Sequence, residues 1–101
     1  TDAVSPATLE LMTRPWAEEP GGGARGLGWI LGHPTCSGGE LSSARAFGHT
    51  GFTGTSVWVE PTRGYGIVLL TNRVHPTRHG GDDIIHLRRR FANAVHAAWR
   101  P

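Results

Sequence analysis

The stretch Gly66-Ile67-Val68-Leu69-Leu70 is apolar at five consecutive positions, and it constrains the fold more than any other feature of the chain. Such a strand is predicted to be buried on both faces, because neither set of alternating side chains is polar. At 101 residues the margin of burial is thin. The chain can hardly supply covering elements for both faces of a sheet, so we expect part of the cover to come from elsewhere.

Turn-forming residues lie just before that run. Residues 54–60 alternate, with Val57 and Val59 on one face, and Pro61-Thr62-Arg63-Gly64 is typical of a hairpin loop. The pattern from residue 46 to residue 72 therefore predicts antiparallel strands. Three segments upstream give weaker signals: a strand at 27–31, a Pro-, Ser- and Gly-rich loop at 33–45, and a flexible connector at 18–25.

Two helices are predicted, one at each end of the chain. Ser5 and Pro6 are typical of an N-cap followed by the first helical position, and they predict a helix at 6–13. Asp82 and Asp83 place negative charge where a second helix, at 82–98, would begin. Its apolar face is predicted to consist of Ile84, Leu87, Phe91, Val95 and Trp99. The fold class is therefore α/β of the α+β kind, an antiparallel sheet with N- and C-terminal helices packed on it.

Composition gives little support to several classes of protein. All ten basic residues are Arg, and the formal net charge is only +2, which is too slight to indicate a nucleic-acid binder. No apolar run approaches the length of a membrane span. The single cysteine, Cys36, cannot form a disulfide within the chain and is read as a free thiol. The cellular compartment stays open, and the opening at Thr1 leads us to expect a segment of a longer protein.

The segment Phe47-Gly48-His49-Thr50-Gly51-Phe52-Thr53-Gly54 combines residue types that suit a reactive site. Glycines allow the backbone to approach a ligand closely, because no Cβ stands in the way. A strand edge lined by small residues can offer N–H groups to a developing oxyanion. By spacing alone, a structural interpretation is favoured, in which the glycines mark bulges and His49 is a hydrogen-bonded surface group.

Together with GLGWIL and the segment FGHTGFTGTSVWVEPTRGYGIVLLTNRVHP, this motif resembles the C-terminal end of the serine β-lactamase and penicillin-binding-protein superfamily. The likeness covers residues 26 to 99 and is greatest to class C β-lactamases, esterases and D-aminopeptidases. It implies a partial β-lactamase-like fold, with His49-Thr50-Gly51 as the Lys/His-Thr-Gly motif. It also implies that His49 joins the hydrogen-bond network of the site, that Thr50 contacts substrate, and that the Phe52 N–H is an oxyanion donor.

The family's nucleophile is absent from the sequence. Its Ser-x-x-Lys motif cannot occur in a chain without Lys, and neither Tyr-x-Asn nor Ser-x-Asn is found. Because a serine without an adjacent base is a poor nucleophile, the chain alone is expected to be inactive. Residues 1–101 are then the C-terminal part of a serine hydrolase domain. The expected partner is the N-terminal part of the same protein, and no cofactor is implied.

Histidine in place of Lys bears on the substrate. A Lys would give a permanent positive charge for a substrate carboxylate, whereas a histidine is mostly neutral near pH 7. This favours esters or small amides over penicillins. Two other functions stay open: a non-catalytic binding module of the same fold, and a nucleic-acid binder.

Other candidates are given structural interpretations. The spacing of His75, His79 and His86 fits no compact metal-ligand pattern. The run Arg88-Arg89-Arg90 is predicted to be a solvated helix face. The four tryptophans are read as packing residues rather than a stacking platform for bases: Trp16, Trp29, Trp58 and Trp99.

Overall fold

The computed structural model describes residues 3–19, 23–31, 37–81 and 83–100. Within them the fold is α+β, as predicted, with two helices, a two-stranded and a three-stranded antiparallel sheet. In chain order the elements are α1 (Pro6–Met12), β1 (Ala17–Glu19), β2 (Gly23–Arg25), β3 (Phe47–Thr50), β4 (Ser56–Glu60), β5 (Tyr65–Leu69) and α2 (Asp83–Ala98).

The first helix begins as its capping signal predicts. The Ser5 hydroxyl accepts a hydrogen bond from the Thr8 N–H, and Pro6 occupies the first turn. The prediction of a flexible connector at 18–25 is wrong for its described residues, because β1 and β2 pair there with Ala17 opposite Arg25. Residues 20–22 of that segment lie outside the described part of the chain.

The three-stranded sheet has the order β3-β4-β5, and its register fixes which side chains share a face. Thr50 lies opposite Ser56 and Gly48 opposite Trp58, whereas His49 lies opposite Val57. Residues directly opposite one another project from the same face. The predicted alternation of β4 is confirmed, since Ser56, Trp58 and Glu60 are buried and the valines between them are half-buried.

Helix α2 covers the Trp58 face of the sheet. Trp58, Ile67 and Ala92 form the core there, and Ala92 is 1% exposed. The apolar face predicted for this helix is confirmed for Ile84, which is buried, and for Val95, which packs against the core. It is wrong for Leu87, Phe91 and Trp99, which are at least 37% exposed. The helix residues that are buried recur at every fourth position: Ile84, Arg88, Ala92 and His96. The small Ala92 side chain lets the helix approach closely, and Arg88 and His96 are buried because each finds hydrogen-bond partners.

The strand predicted at 27–31 is mostly absent. The Gly26 N–H bonds to the Trp29 carbonyl and closes a turn, so the chain is not extended there. Only Ile30 pairs, and it bridges Arg25 on one side and Gly48 on the other. Residues 32–36, which include part of the predicted loop and Cys36, are outside the described residues.

The second face of the sheet is partly open. As expected, this chain covers only one face of the apolar run at residues 66–70, since Ile67 is buried while Val68 is 60% and Leu70 76% exposed. Helix α1 lies toward the other end of this face, where Leu9 lines a cleft of about 600 Å³ with Phe47 and Val59. Helix α2 therefore covers the Trp58 face of the sheet. Helix α1 covers only a corner of the opposite face, beside Phe47 and Val59.

Candidate active site at the edge of the sheet

The four residues singled out by the sequence lie together at the end of β3. His49 and Phe52 are exposed, Phe52 by 63%, while Thr50 and Gly51 are half-buried. Residues 49–52 are therefore not enclosed in the core. The cleft beside α1 does not include them, and neither does a cavity of about 300 Å³ between α2 and the segment that follows β5.

The outer edge of β3 is free at this point. The Gly48 N–H and C=O both bond to Ile30, at 3.0 and 2.8 Å, so Gly48 presents its backbone groups to the outside of the sheet. Backbone groups alternate in direction along an antiparallel strand, and those of Thr50 therefore point to the same side. The Ile30–Gly48 bridge is antiparallel, so the residues that would continue it past Gly48 are Trp29 and Gly28, and these lie in a turn rather than a strand. Past Gly48, the edge is available to an extended ligand.

His49 and Thr50 project from opposite faces of the strand. His49 is on the open face with Val57, and Thr50 is on the helix-covered face with Ser56. Nδ1 of His49 lies 2.6 Å from the Thr50 carbonyl oxygen, which can only accept, so Nδ1 carries the hydrogen. In the neutral ring, Nε2 is then an acceptor. Because the two side chains lie on opposite faces, a ligand can contact both His49 and Thr50 only if it lies along the edge of the sheet.

Strand β3 is followed by the turn Gly51–Thr55, in which carbonyl oxygens accept hydrogen bonds from other parts of the protein. Nη2 of Arg88 donates to the Gly51 and Thr55 oxygens at 2.9 and 3.0 Å. The Gly54 carbonyl accepts from the Thr71 hydroxyl, and the Thr53 carbonyl accepts from the Arg73 N–H at 2.9 Å. By contrast, the Phe52 N–H bonds to no residue that the structure describes. Four of the five carbonyl oxygens of the turn are therefore held by the protein, whereas the N–H groups of Phe52, Thr53 and Thr55 have no hydrogen-bond partner among the described residues.

Two glycines are required by close approach. A Cβ at Gly48 would lie 2.1 Å from the Val57 carbonyl oxygen, so the strand can pass Trp58 only without a side chain. Gly54 has φ of +115°, and a Cβ there would lie 2.9 Å from the Thr71 carbonyl oxygen. The glycines that flank the motif thus serve packing and backbone conformation.

Arg88 is the site residue that sequence reasoning missed. The prediction of a solvated face is wrong for it, because it is 5% exposed, whereas Arg90 is exposed. Burial, and then the charge of Arg73, lower the pKa of Arg88. Its position four residues after Ile84 and four before Ala92 was a usable signal, since helix positions four apart share a face.

Behind the motif, polar side chains fix the surrounding loops. Glu60, which is 1% exposed, accepts hydrogen bonds from the Ser43 N–H and hydroxyl and from the Thr62 N–H. Burial raises the pKa of Glu60, but these hydrogen bonds outweigh it and hold the pKa below its usual range. The Tyr65 hydroxyl bonds to Nδ1 of His96, whose Nε2 donates to the Gly38 carbonyl at 2.8 Å.

Cationic and aromatic groups complete the surroundings. The Arg73 guanidinium carbon lies 5.4 Å from the centre of the Phe52 ring, so a permanent positive charge sits beside the turn. The described residues contain no group of three or more His, Cys, Asp or Glu that could hold a metal ion. Neither described helix has the length and apolar character needed to cross a bilayer.

Comparison with known proteins gives consistent matches. A family model described as Beta-lactamase matches residues 1–90. An N-acetylmuramyl-L-alanine amidase of Bacillus subtilis is 35% identical over 75 residues, which is 67% of this chain and 15% of that protein. A D-alanyl-D-alanine carboxypeptidase of Escherichia coli K12 is 42% identical over 53 residues, or 50% of this chain and 12% of that protein. The matched segment is therefore a small part of each relative. No solved structure matches significantly.

Proposed function

The chain belongs to the beta-lactamase family, and from this membership we propose that residues 1–101 are the C-terminal part of a serine hydrolase domain. The whole protein would act on esters, small amides or β-lactams through an acyl-enzyme. The observation that carries the proposal is the open end of β3, where His49 is exposed and the Phe52 N–H has no partner among the described residues. An unused donor at an open strand edge suits an oxyanion.

The proposed reaction begins with attack by a serine from the N-terminal part of the same protein. Its oxygen bonds to the substrate carbonyl carbon, and its proton passes to a neighbouring amine. The Phe52 N–H would donate to the oxyanion that forms, a contribution of about 3 kcal/mol for one such donor. The leaving group departs with a proton, and water then hydrolyses the acyl-enzyme to release the acid and regenerate the serine.

His49 and Thr50 would position the substrate. Nε2 of His49 is available as an acceptor when the ring is neutral, and Thr50 lies where the ligand would follow the edge. Because a histidine at this position lacks the permanent charge of a lysine, esters and small amides are the favoured substrates. Arg73 beside Phe52 leaves β-lactams and other carboxylates in the proposal, because a guanidinium keeps its charge at all relevant pH values.

Ser43 is the serine of the described residues that lies beside a carboxylate, and it is not a convincing nucleophile. Ser43 donates its hydroxyl hydrogen to Glu60 at 2.9 Å, which is the geometry of a serine with an adjacent base. However, the pKa of Glu60 lies below its usual range, so this carboxylate is a weak base. The inactivity of the chain alone is therefore part of the proposal.

The partly open sheet face supports a missing partner segment. Val68 is exposed on the same face as His49, and Leu70, the residue just past β5, is exposed as well. Exposed apolar side chains of a sheet usually mark a contact surface. We assign this face to the N-terminal part that carries the nucleophile.

The test is a comparison of the whole protein with residues 1–101 alone. Each is incubated with a p-nitrophenyl ester and with a chromogenic β-lactam. The proposal expects a burst and turnover of at least one substrate by the whole protein and neither by the chain alone. Ligand binding by the whole protein without turnover would instead favour a non-catalytic binding module of the same fold.

A further inference from the structure

Arg88 is buried in a way that packing alone does not explain. Of its run of three arginines, Arg90 is exposed and Arg89 forms an ion pair with Glu40 at 3.1 Å. Among the described residues, no carboxylate pairs with Arg88, whose Nε is buried without a hydrogen-bond partner. A buried cation without a counter-charge is costly. The compensation comes from two backbone oxygens, and both belong to the turn that follows His49-Thr50-Gly51.

The contact to Gly51 sets the direction of a second group. In a trans peptide, the C=O of one residue and the N–H of the next lie in one plane and point in opposite directions. The Gly51 oxygen points into the protein, toward Nη2 of Arg88 and the Gly54 N–H. The Phe52 N–H therefore points away from α2, toward the outside of the turn. Rotation of this peptide unit would break the bond to Arg88.

We propose that Arg88 is a positioning residue, which locks the Gly51–Phe52 peptide unit so that the Phe52 N–H is already aimed at the oxyanion. The inference rests on the proposed function, because it gives Arg88 a role in that reaction. Arg88 does not touch the substrate. Its contact with the Thr55 oxygen ties the end of the turn to the same guanidinium, so both ends of the turn are held at one point.

The experiment uses the whole protein with Arg88→Met, which keeps much of the side-chain volume and removes all donors. The matched control is Arg90→Met, two positions along the same helix and exposed. We expect kcat per acylatable site to fall about 10- to 100-fold in Arg88→Met, as for a misdirected oxyanion donor. KM is expected to change by less than about threefold, since ground-state contacts are kept. Arg90→Met should match the wild type.

Two further measurements separate positioning from folding. Arg88→Lys keeps the positive charge and is expected to retain more of the wild-type kcat than Arg88→Met. If Arg88→Met does not fold, the comparison of Arg88→Lys with the wild type tests the inference. A phosphonate p-nitrophenyl ester, which phosphonylates the serine with release of p-nitrophenol and leaves a tetrahedral adduct, should react with Arg88→Met more slowly than with the wild type, in proportion to the loss of kcat/KM. A loss confined to thermal stability, with kcat per folded molecule unchanged, would overturn the inference.

The two proposals fail in distinguishable ways. An active wild type with equally active and folded Arg88 variants contradicts the positioning role and leaves the proposed function intact. A wild-type protein that forms no acyl-enzyme contradicts the proposed function, and the inference about Arg88 falls with it.

Discussion

Glu60 and Ser43 are joined by two hydrogen bonds, from the Ser43 N–H at 2.6 Å and from its hydroxyl at 2.9 Å, to the two oxygens of one buried carboxylate. Glu60 lies on β4, and Ser43 belongs to the loop that enters β3. The pair therefore fixes the approach of the chain to the His-Thr-Gly edge. A buried polar group that is fully bonded stabilises one arrangement of a loop over others.

Replacing Glu60 is expected to destabilise the chain. Glu60→Ala leaves the Ser43 and Thr62 N–H groups without an acceptor, and we expect a loss of about 2–4 kcal/mol in the free energy of unfolding. Glu60→Gln keeps one oxygen and should lose less. Urea denaturation measures the effect, with the exposed Glu10→Gln as the control near zero. Equal stabilities of Glu60→Ala and the wild type would contradict this account of the loop.

The same carboxylate predicts a dependence on pH. Because the pKa of Glu60 is lower in the folded chain than in the unfolded one, the unfolded state takes up the proton first as pH falls. The ionised Glu60 carboxylate stabilises the fold completely above the ordinary glutamate pKa of about 4.3. This stabilisation is lost as the pH falls through the lower pKa that Glu60 has in the folded chain. Glu60→Gln should flatten this part of the stability curve, measured by thermal melting from pH 6 downward. A slope unchanged by the substitution would show that another group is responsible.

Gly54→Ala tests the backbone of the turn. With φ of +115° and the Thr71 carbonyl 2.9 Å from the new Cβ, the substitution strains the backbone and pushes the turn from β5. We expect a loss of about 1–3 kcal/mol and, in the whole protein, a fall in kcat. Gly80→Ala is the control, since a Cβ there meets nothing within 4 Å. A Gly54→Ala variant as stable as Gly80→Ala would be inconsistent with the turn geometry.

The open face of the sheet should make residues 1–101 self-associate. Replacing Val68 and Leu70 by Thr is expected to reduce hydrophobic-dye binding and oligomer size by light scattering, with little loss of stability, because both side chains are more than half exposed. Ile67→Ala, on the buried face of the same strand, should instead lose about 2–4 kcal/mol. If residues 1–101 form a compact monomer that binds no hydrophobic dye, the open face of the sheet does not need a further segment to cover it.

His49→Lys tests the reason for the proposed substrate class. A permanent positive charge at this exposed position should raise kcat/KM of the whole protein for a carboxylate-bearing β-lactam relative to a neutral ester, by roughly 5- to 10-fold. His49→Gln is the neutral control and should leave the ratio near that of the wild type. If His49→Lys leaves the ratio of the two kcat/KM values unchanged, the charge at position 49 does not determine the choice of substrate.

Much of the fold follows from local patterns. Ser5-Pro6 placed the start of α1, Pro61–Gly64 placed the hairpin, and the alternation of residues 54–60 gave the faces of β4. These features depend on residues that are close in the sequence, so they can be predicted without knowledge of tertiary contacts. The family resemblance depends likewise on contiguous residues, and the family match confirmed it. The roles assigned to His49, Thr50 and Gly51 stay predictions.

The errors share a different cause. Hydropathy placed Leu87 and Phe91 inside and Arg88 outside, but burial of Arg88 depends on two carbonyl oxygens that are 33 and 37 positions away in the sequence. The same holds for His96, which bonds to Tyr65 and Gly38. Long-range hydrogen bonds of this kind leave no periodic signal. The expectation that this chain covers only one face of residues 66–70 agrees with the exposed Val68 and Leu70, and the source of the second cover stays a prediction.

The most direct test of the central claim is to locate the acyl group. The whole protein is treated with a p-nitrophenyl ester, quenched at the burst, and examined by intact-mass measurement and peptide mapping. The account expects one acyl group per molecule, on a serine outside residues 1–101. An acyl group on a serine within residues 1–101, or turnover by this chain alone, would contradict it.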